Sequence, residues 1–268
     1  IWPPQNALER FLTLVLPLAL AIEVIVNLAS LPNWITWLAR SALAAAIPRI
    51  LLQGSVYLSD SAASWPFWQA AIVMGSCSFL LLGTWSALSG VSSRSSTISV
   101  SLGLQMAILA AGLAIMMTGY LKGGSLSLPF TGALTATSVT AWLLNRHHPL
   151  LVDFGKSTTI GVSVVGLASL LMIGRFFGEL STIQSLVIFL SPLLCWLTEI
   201  QGLQRRHPGF ATVIRLTLVA IPLLLILFLA KRNFDRDLGP LLSTPSRSQT
   251  LWLAETLINE ARSQPLLA

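Results

Sequence analysis

Long runs of apolar residues, each parted from the next by a few polar ones, recur from residue 11 to residue 230. A bilayer core about 30 Å thick asks for about 20 predominantly apolar residues per helix. Runs of that kind predict spans at Phe11–Leu28, Phe67–Leu88, Ile98–Tyr120, Leu128–Leu144, Thr159–Phe177, Ile183–Ile200 and Ala211–Ala230. An eighth stretch, Trp34–Leu52, is apolar but carries Arg40 and the pair Pro48-Arg49. It could span, lie in the interface or break near Pro48, and we read it as spanning. The fold class that follows is all-α: a polytopic transmembrane bundle of about eight helices with a short soluble C-terminal tail.

Breaks such as 90–94, 122–125, 145–149 and 201–208 are short, so sequential helices must run antiparallel and pack as one bundle. No composition shift marks a boundary before Lys231, which divides the chain into a bundle, 1–230, and a tail, 231–268. Within the tail, Ala254, Leu257, Ile258 and Ala261 fall on one helical face, opposite Glu255, Thr256, Asn259 and Glu260. That pattern predicts a short amphipathic helix whose acidic face disfavours anionic headgroups and suits a protein surface. Two stripes of small residues, Gly103-Ala107-Ala111 and Gly132-Ala136-Thr140, predict close helix contacts or self-association. Trp34, Trp37, Trp65, Trp68, Trp85 and Trp142 fall near predicted helix ends, where indole rings favour the headgroup level.

Composition agrees with lipid as the solvent: 54% of residues are hydrophobic and 10% charged, where soluble domains carry about 25% charge. The net charge of +6 does not point to nucleic acid, because the basic residues lie singly or in pairs at the ends of apolar runs. The lipid bilayer is the first partner implied. The chain begins at Ile1, and Phe11–Leu28, long and containing Glu23, reads as a retained helix rather than a signal-peptide core. Cys77 and Cys195 lie in apolar runs, where thiols behave as small hydrophobes. With eight helices, Arg10, Arg49, Lys122, Arg175, Lys231, Arg232 and Arg236 fall on the side of the C-terminus, against Arg94, Arg146, Lys156, Arg205 and Arg206. The excess places the C-terminus in the cytoplasm.

Candidate chemistry is sparse. Gly155-Lys156-Ser157-Thr158 resembles the end of a phosphate loop, but Leu150 stands where the loop needs glycine and no strand precedes it. The segments 144–149 and 203–208 echo one another, each running Leu, amide, Arg, basic residue, His, Pro. The echo reads as helix-end anchors, as a parallel internal repeat, or as a metal site of His147, His148 and His207 with Asp153. Ionisable residues inside predicted spans carry more weight, since a charge at the centre of a helix in hydrocarbon costs at least about 2.5–3.5 kcal/mol. Glu23, Arg40 and Arg215 are those residues, and Pro17, Pro192 and Pro222 lie near intramembrane charges. Neither a nucleophile with its base nor a metal-hydrolase motif is present, which weighs against an enzyme, and no cofactor is implied. The expectation is transport or channel-type handling of a small solute or ion, with a non-catalytic membrane subunit or assembly protein as the alternative.

Overall fold

A computed structural model describes residue 4, residues 6–29, 32–58, 65–94, 99–144, 149–196 and 208–242, and residue 255. Every regular element among the described residues is helical. In chain order these are α1 (Ala7–Leu28), α2 (Asn33–Leu52), α3 (Phe67–Arg94), α4 (Ser99–Met117) and the short α5 (Leu121–Ser125). They are followed by α6 (Ser127–Leu144), α7 (Pro149–Phe176), α8 (Thr182–Leu190) and α9 (Pro208–Leu242). Six of them, α1, α2, α3, α4, α7 and α9, contain stretches long and apolar enough to cross a bilayer. Large outward side chains such as Phe67, Phe79, Ile183 and Phe228 remain exposed, as lipid contact allows and water would penalise.

The helix that organises the bundle is α7. Its span is 89% buried, against 28% for α1 and 22% for α3, and it packs on α1, α2, α3, α4, α6 and α8. Three missing side chains make this close packing work. An added Cβ would strike Glu23 of α1 at Gly161, the Phe130 ring of α6 at Gly166 and Ile115 of α4 at Gly174, all within 2.6 Å. Small residues thus let neighbouring backbones approach where lipid supplies no hydrophobic drive to hold helices together. The same logic joins α4 to the α5–α6 corner, where Gly112 lies against Ser127 and the Gly124 carbonyl.

Prolines are absorbed in three ways. Ahead of Pro17 the first helix widens into a π-helical turn, Phe11–Val15, which makes room for a ring that would otherwise press on the carbonyl four residues back. Pro48 sits inside α2 without ending it, so Trp34–Leu52 belongs to one continuous helix. Beyond Leu190, α8 tightens into a 3-10 turn, Ser191–Trp196, that begins beside Pro192, so the run expected as Ile183–Ile200 is not one regular α-helix. At its other end α8 opens with a capping box: Gln184 N donates to Ser181 Oγ at 3.2 Å and Ser181 N donates to Gln184 Oε1 at 3.3 Å.

The start of α7 differs from the sequence expectation for a simple reason. An apolar-run reading starts the fifth span at Thr159, but the helix begins at Pro149, a residue preorganised for the first helical position, and runs through Asp153 and Lys156. Gly155-Lys156-Ser157-Thr158 is therefore helical rather than a phosphate loop. At the end of α2, Gly54 adopts φ +72° and Arg10 of α1 donates to the Gln53 carbonyl, closing the helix end with a cation from the neighbouring helix. The chain forms two compact units, Ile1–Ala230 and Lys231–Ala268. The predicted amphipathic helix of the tail lies outside the described residues apart from Glu255.

Candidate functional site: a buried carboxylate–guanidinium pair

Glu23, five residues before the end of α1, and Arg40, in the second turn of α2, flank the connection between those helices and point at each other. Arg40 Nε donates to Glu23 Oε1 at 2.8 Å and Nη2 donates to Oε2 at 3.0 Å, the two-pronged geometry that suits a planar guanidinium and a carboxylate. The side chains are 7% and 0% exposed, so water screens neither. Asn27, one turn along α1, donates from Nδ2 to the Glu23 backbone oxygen at 2.6 Å and approaches Oε2 at 3.5 Å.

Apolar and aromatic groups wall the pair. The Arg40 guanidinium lies 5.2 Å from the ring centroids of both Trp37 and Trp85, within the range of cation–π attraction. Trp85 is fully buried, and its Nε1 finds no partner among the described residues. Trp85 thus faces the bundle interior and Arg40 rather than the lipid-exposed surface on which a belt residue sits. Behind Glu23 stands Gly161, where a Cβ would lie 2.6 Å from Cδ, so the carboxylate rests on the backbone of α7. Four helices, α1, α2, α3 and α7, thus meet on one ion pair.

Arg215, the third expected charge, is 1% exposed and belongs to a different place. Its Nη1 donates to Ser99 Oγ at 3.1 Å, tying α9 to the first turn of α4. Farther along α4, Gln105 Nε2 donates to Ser138 Oγ at 2.9 Å while Thr135 Oγ1 donates to Gln105 Oε1 at 3.1 Å, a buried polar link to α6 that no charge announces. His147, His148 and His207, with the polar residues of both copies of the echoed motif, lie outside the described residues, as does the side chain of Asp153. Among the described residues no three His, Cys, Asp or Glu side chains gather as a metal-binding group.

The two small-residue stripes part company. Gly103, Ala107 and Ala111 are buried, and Gly103 faces Cys195 and Val219. Gly132, Ala136 and Thr140 are exposed, and a Cβ at Gly132 would meet nothing within 4 Å. Among the described residues nothing packs on that stripe of α6, because the residues that seat α6 on α4 and α7 lie on its opposite face, at Thr131, Leu134 and Ser138. The chain matches no protein-family model, no curated protein and no solved structure.

Proposed function

We propose that the chain is a transport-type membrane protein handling a small solute or ion, with the Glu23–Arg40 pair as its working element. The pair's construction supports this reading: a two-pronged ion pair, buried on every side, inside helices whose outer faces suit hydrocarbon. Desolvating such groups costs several kcal/mol each, and apolar side chains of similar volume fill comparable sites at equal or lower cost. A charge pair in that setting suits a task that needs its charge. A solute anion that takes the place of Glu23 on Arg40, with a proton taken up by Glu23, leaves the site as neutral as before. Joint uptake of the two meets the smallest electrostatic penalty, and it frees α1 from α2. The basic residues Arg10, Lys231 and Arg232 favour a cytoplasmic location for the start of α1 and the end of the α9 span.

A second reading is favoured by the outward Gly132-Ala136-Thr140 face of α6, which offers another helix a close approach. On that reading the chain is a non-catalytic membrane subunit and the ion pair serves only to fix α1 on α2. Reconstitution decides between them. Vesicles containing the full chain and an internal pH reporter are challenged with a panel of small anions and cations. Transport requires a solute-dependent proton movement that Glu23→Gln abolishes and Glu23→Asp partly keeps. No movement with any solute or gradient, together with a stoichiometric protein companion after mild solubilisation, would transfer the assignment to the subunit reading.

A further inference from the structure

Away from the ion pair, α3 and α8 both pack on α7, and α3 also meets the 3-10 turn that continues α8. The two helices bound a wedge of about 390 Å³ that α7 lines from Ala168 to Phe176. This volume lies in the range of small-molecule sites. The floor is buried and apolar, formed by Leu81, Ala168, Leu171 and Phe189. The mouth is different: Arg175, at the C-terminal end of α7, is exposed there beside Thr182. Arg175 Nε donates to Thr182 Oγ1 at 2.8 Å, which holds the guanidinium in place. Its two Nη nitrogens make no hydrogen bond or ion pair among the described residues.

We infer that this wedge binds an anionic phospholipid drawn from the bilayer, with one acyl chain between α3 and α8 and the phosphate on Arg175. Three observations converge. An apolar trough with one cation at its mouth is complementary to an amphiphile with an anionic head, and a guanidinium fork whose outer nitrogens are open suits phosphate oxygens. The helices that border the opening turn Phe79 and Ile183 outward, so the occupant enters from hydrocarbon rather than from water. Trp65 lies at the mouth, its ring tilted against Tyr57 at 4.6 Å and edge-on to Phe176 at 5.7 Å, an aromatic cluster of the kind that marks headgroup depth. From Arg175 to Ala168 the trough runs seven residues of helix, about 10 Å, so a phosphate at the mouth puts the upper part of its chain against the floor. A headgroup with its own cation, such as choline, brings like charge to Arg175. The inference is independent of the transport reading, since Asn27, Trp37, Trp85 and Gly161, which surround the ion pair, do not line the wedge.

The test uses the full chain in detergent, exchanged into mixed micelles of phosphatidylglycerol and phosphatidylcholine with identical acyl chains, with retained lipid counted by native mass spectrometry. One phosphatidylglycerol per chain is expected, preferred over phosphatidylcholine by roughly tenfold, the size of one charge-assisted contact. Arg175→Gln should bring the two lipids near parity, and Arg175→Lys should keep part of the preference. Ser76→Phe, on an exposed part of the wall, should reduce retention without altering the cation. Equal retention of both lipids by the unaltered chain overturns the inference, as does a preference that survives Arg175→Gln or a lipid count that ignores Ser76→Phe. Displacement of phosphatidylglycerol by millimolar inorganic phosphate also overturns it, since the site would then serve the free anion.

Discussion

Replacing Arg40 by Met, Glu23 by Leu, and both together measures what the ion pair contributes and whether its members act as a unit. Each single substitution leaves one ionisable group facing Trp37, Trp85 and the Gly161 backbone, with no water to take the place of the two hydrogen bonds at 2.8 and 3.0 Å. Breaking a buried pair in this way costs about 3–5 kcal/mol. The Glu23 variant should fall at the upper end, because a guanidinium cannot give up its proton to escape the burial. In the double variant both charges are gone, similar volume remains, and the main loss is cation–π attraction to two indoles, about 0.5–2 kcal/mol each. The double variant should therefore be less destabilised than the sum of the singles by at least about 2 kcal/mol. Equilibrium unfolding in mixed micelles, followed by far-UV circular dichroism and tryptophan fluorescence, gives the three values. Additivity within about 0.5 kcal/mol would show that the two residues do not depend on each other and would refute the reasoning.

Two further substitutions probe the packing. Gly112→Ala places a methyl group against Ser127 and 2.8 Å from the Gly124 carbonyl, and should cost about 1–3 kcal/mol, whereas Gly132→Ala meets open space and should be neutral or stabilise by up to about 1 kcal/mol in the same unfolding assay. Gln105→Leu removes the buried links to Ser138 and Thr135 and should lower stability by about 0.6–1.7 kcal/mol, with protease sensitivity rising at the α4–α6 contact; an unchanged midpoint would mean that the link is formed equally well in the unfolded chain within the membrane.

Six of the expected spans were legible because bilayer thickness dictates run length, whereas the continuity of α2 through Pro48 was one of three readings that its sequence left open. The start of α7 was not: Asp153 and Lys156 end an apolar run without ending a helix, since neither opposes helical backbone geometry. Glu23 and Arg40 stood out as rare charges, and their similar distances from the break near Pro32 were a signal that the pair meets across a hairpin. Gly161 and Trp85 gave no such signal. Whether a glycine is a gap for a carboxylate, or an indole a belt residue or a wall, depends on which helix lies opposite, and α3 and α7 reach the pair from far along the chain. The outward turn of Gly132 has the same cause: periodicity defines the stripe but not the direction it faces.

The closeness in sequence of Glu23 and Arg40 bears on how the chain enters the membrane. A helix carrying one uncompensated charge is a poor candidate for release into lipid by itself, at a cost of about 2.5–3.5 kcal/mol for each charged residue near its centre. Seventeen residues separate the two partners, and the helices that bear them are joined by a short connection, so α1 and α2 can leave the insertion machinery as a hairpin with its charges already cancelled. The link between Arg215 and Ser99 spans 116 residues and has no such route. α4 is made well before α9, so the arginine of α9 needs water or protein beside it only until it docks on the Ser99 that is already waiting in the bundle.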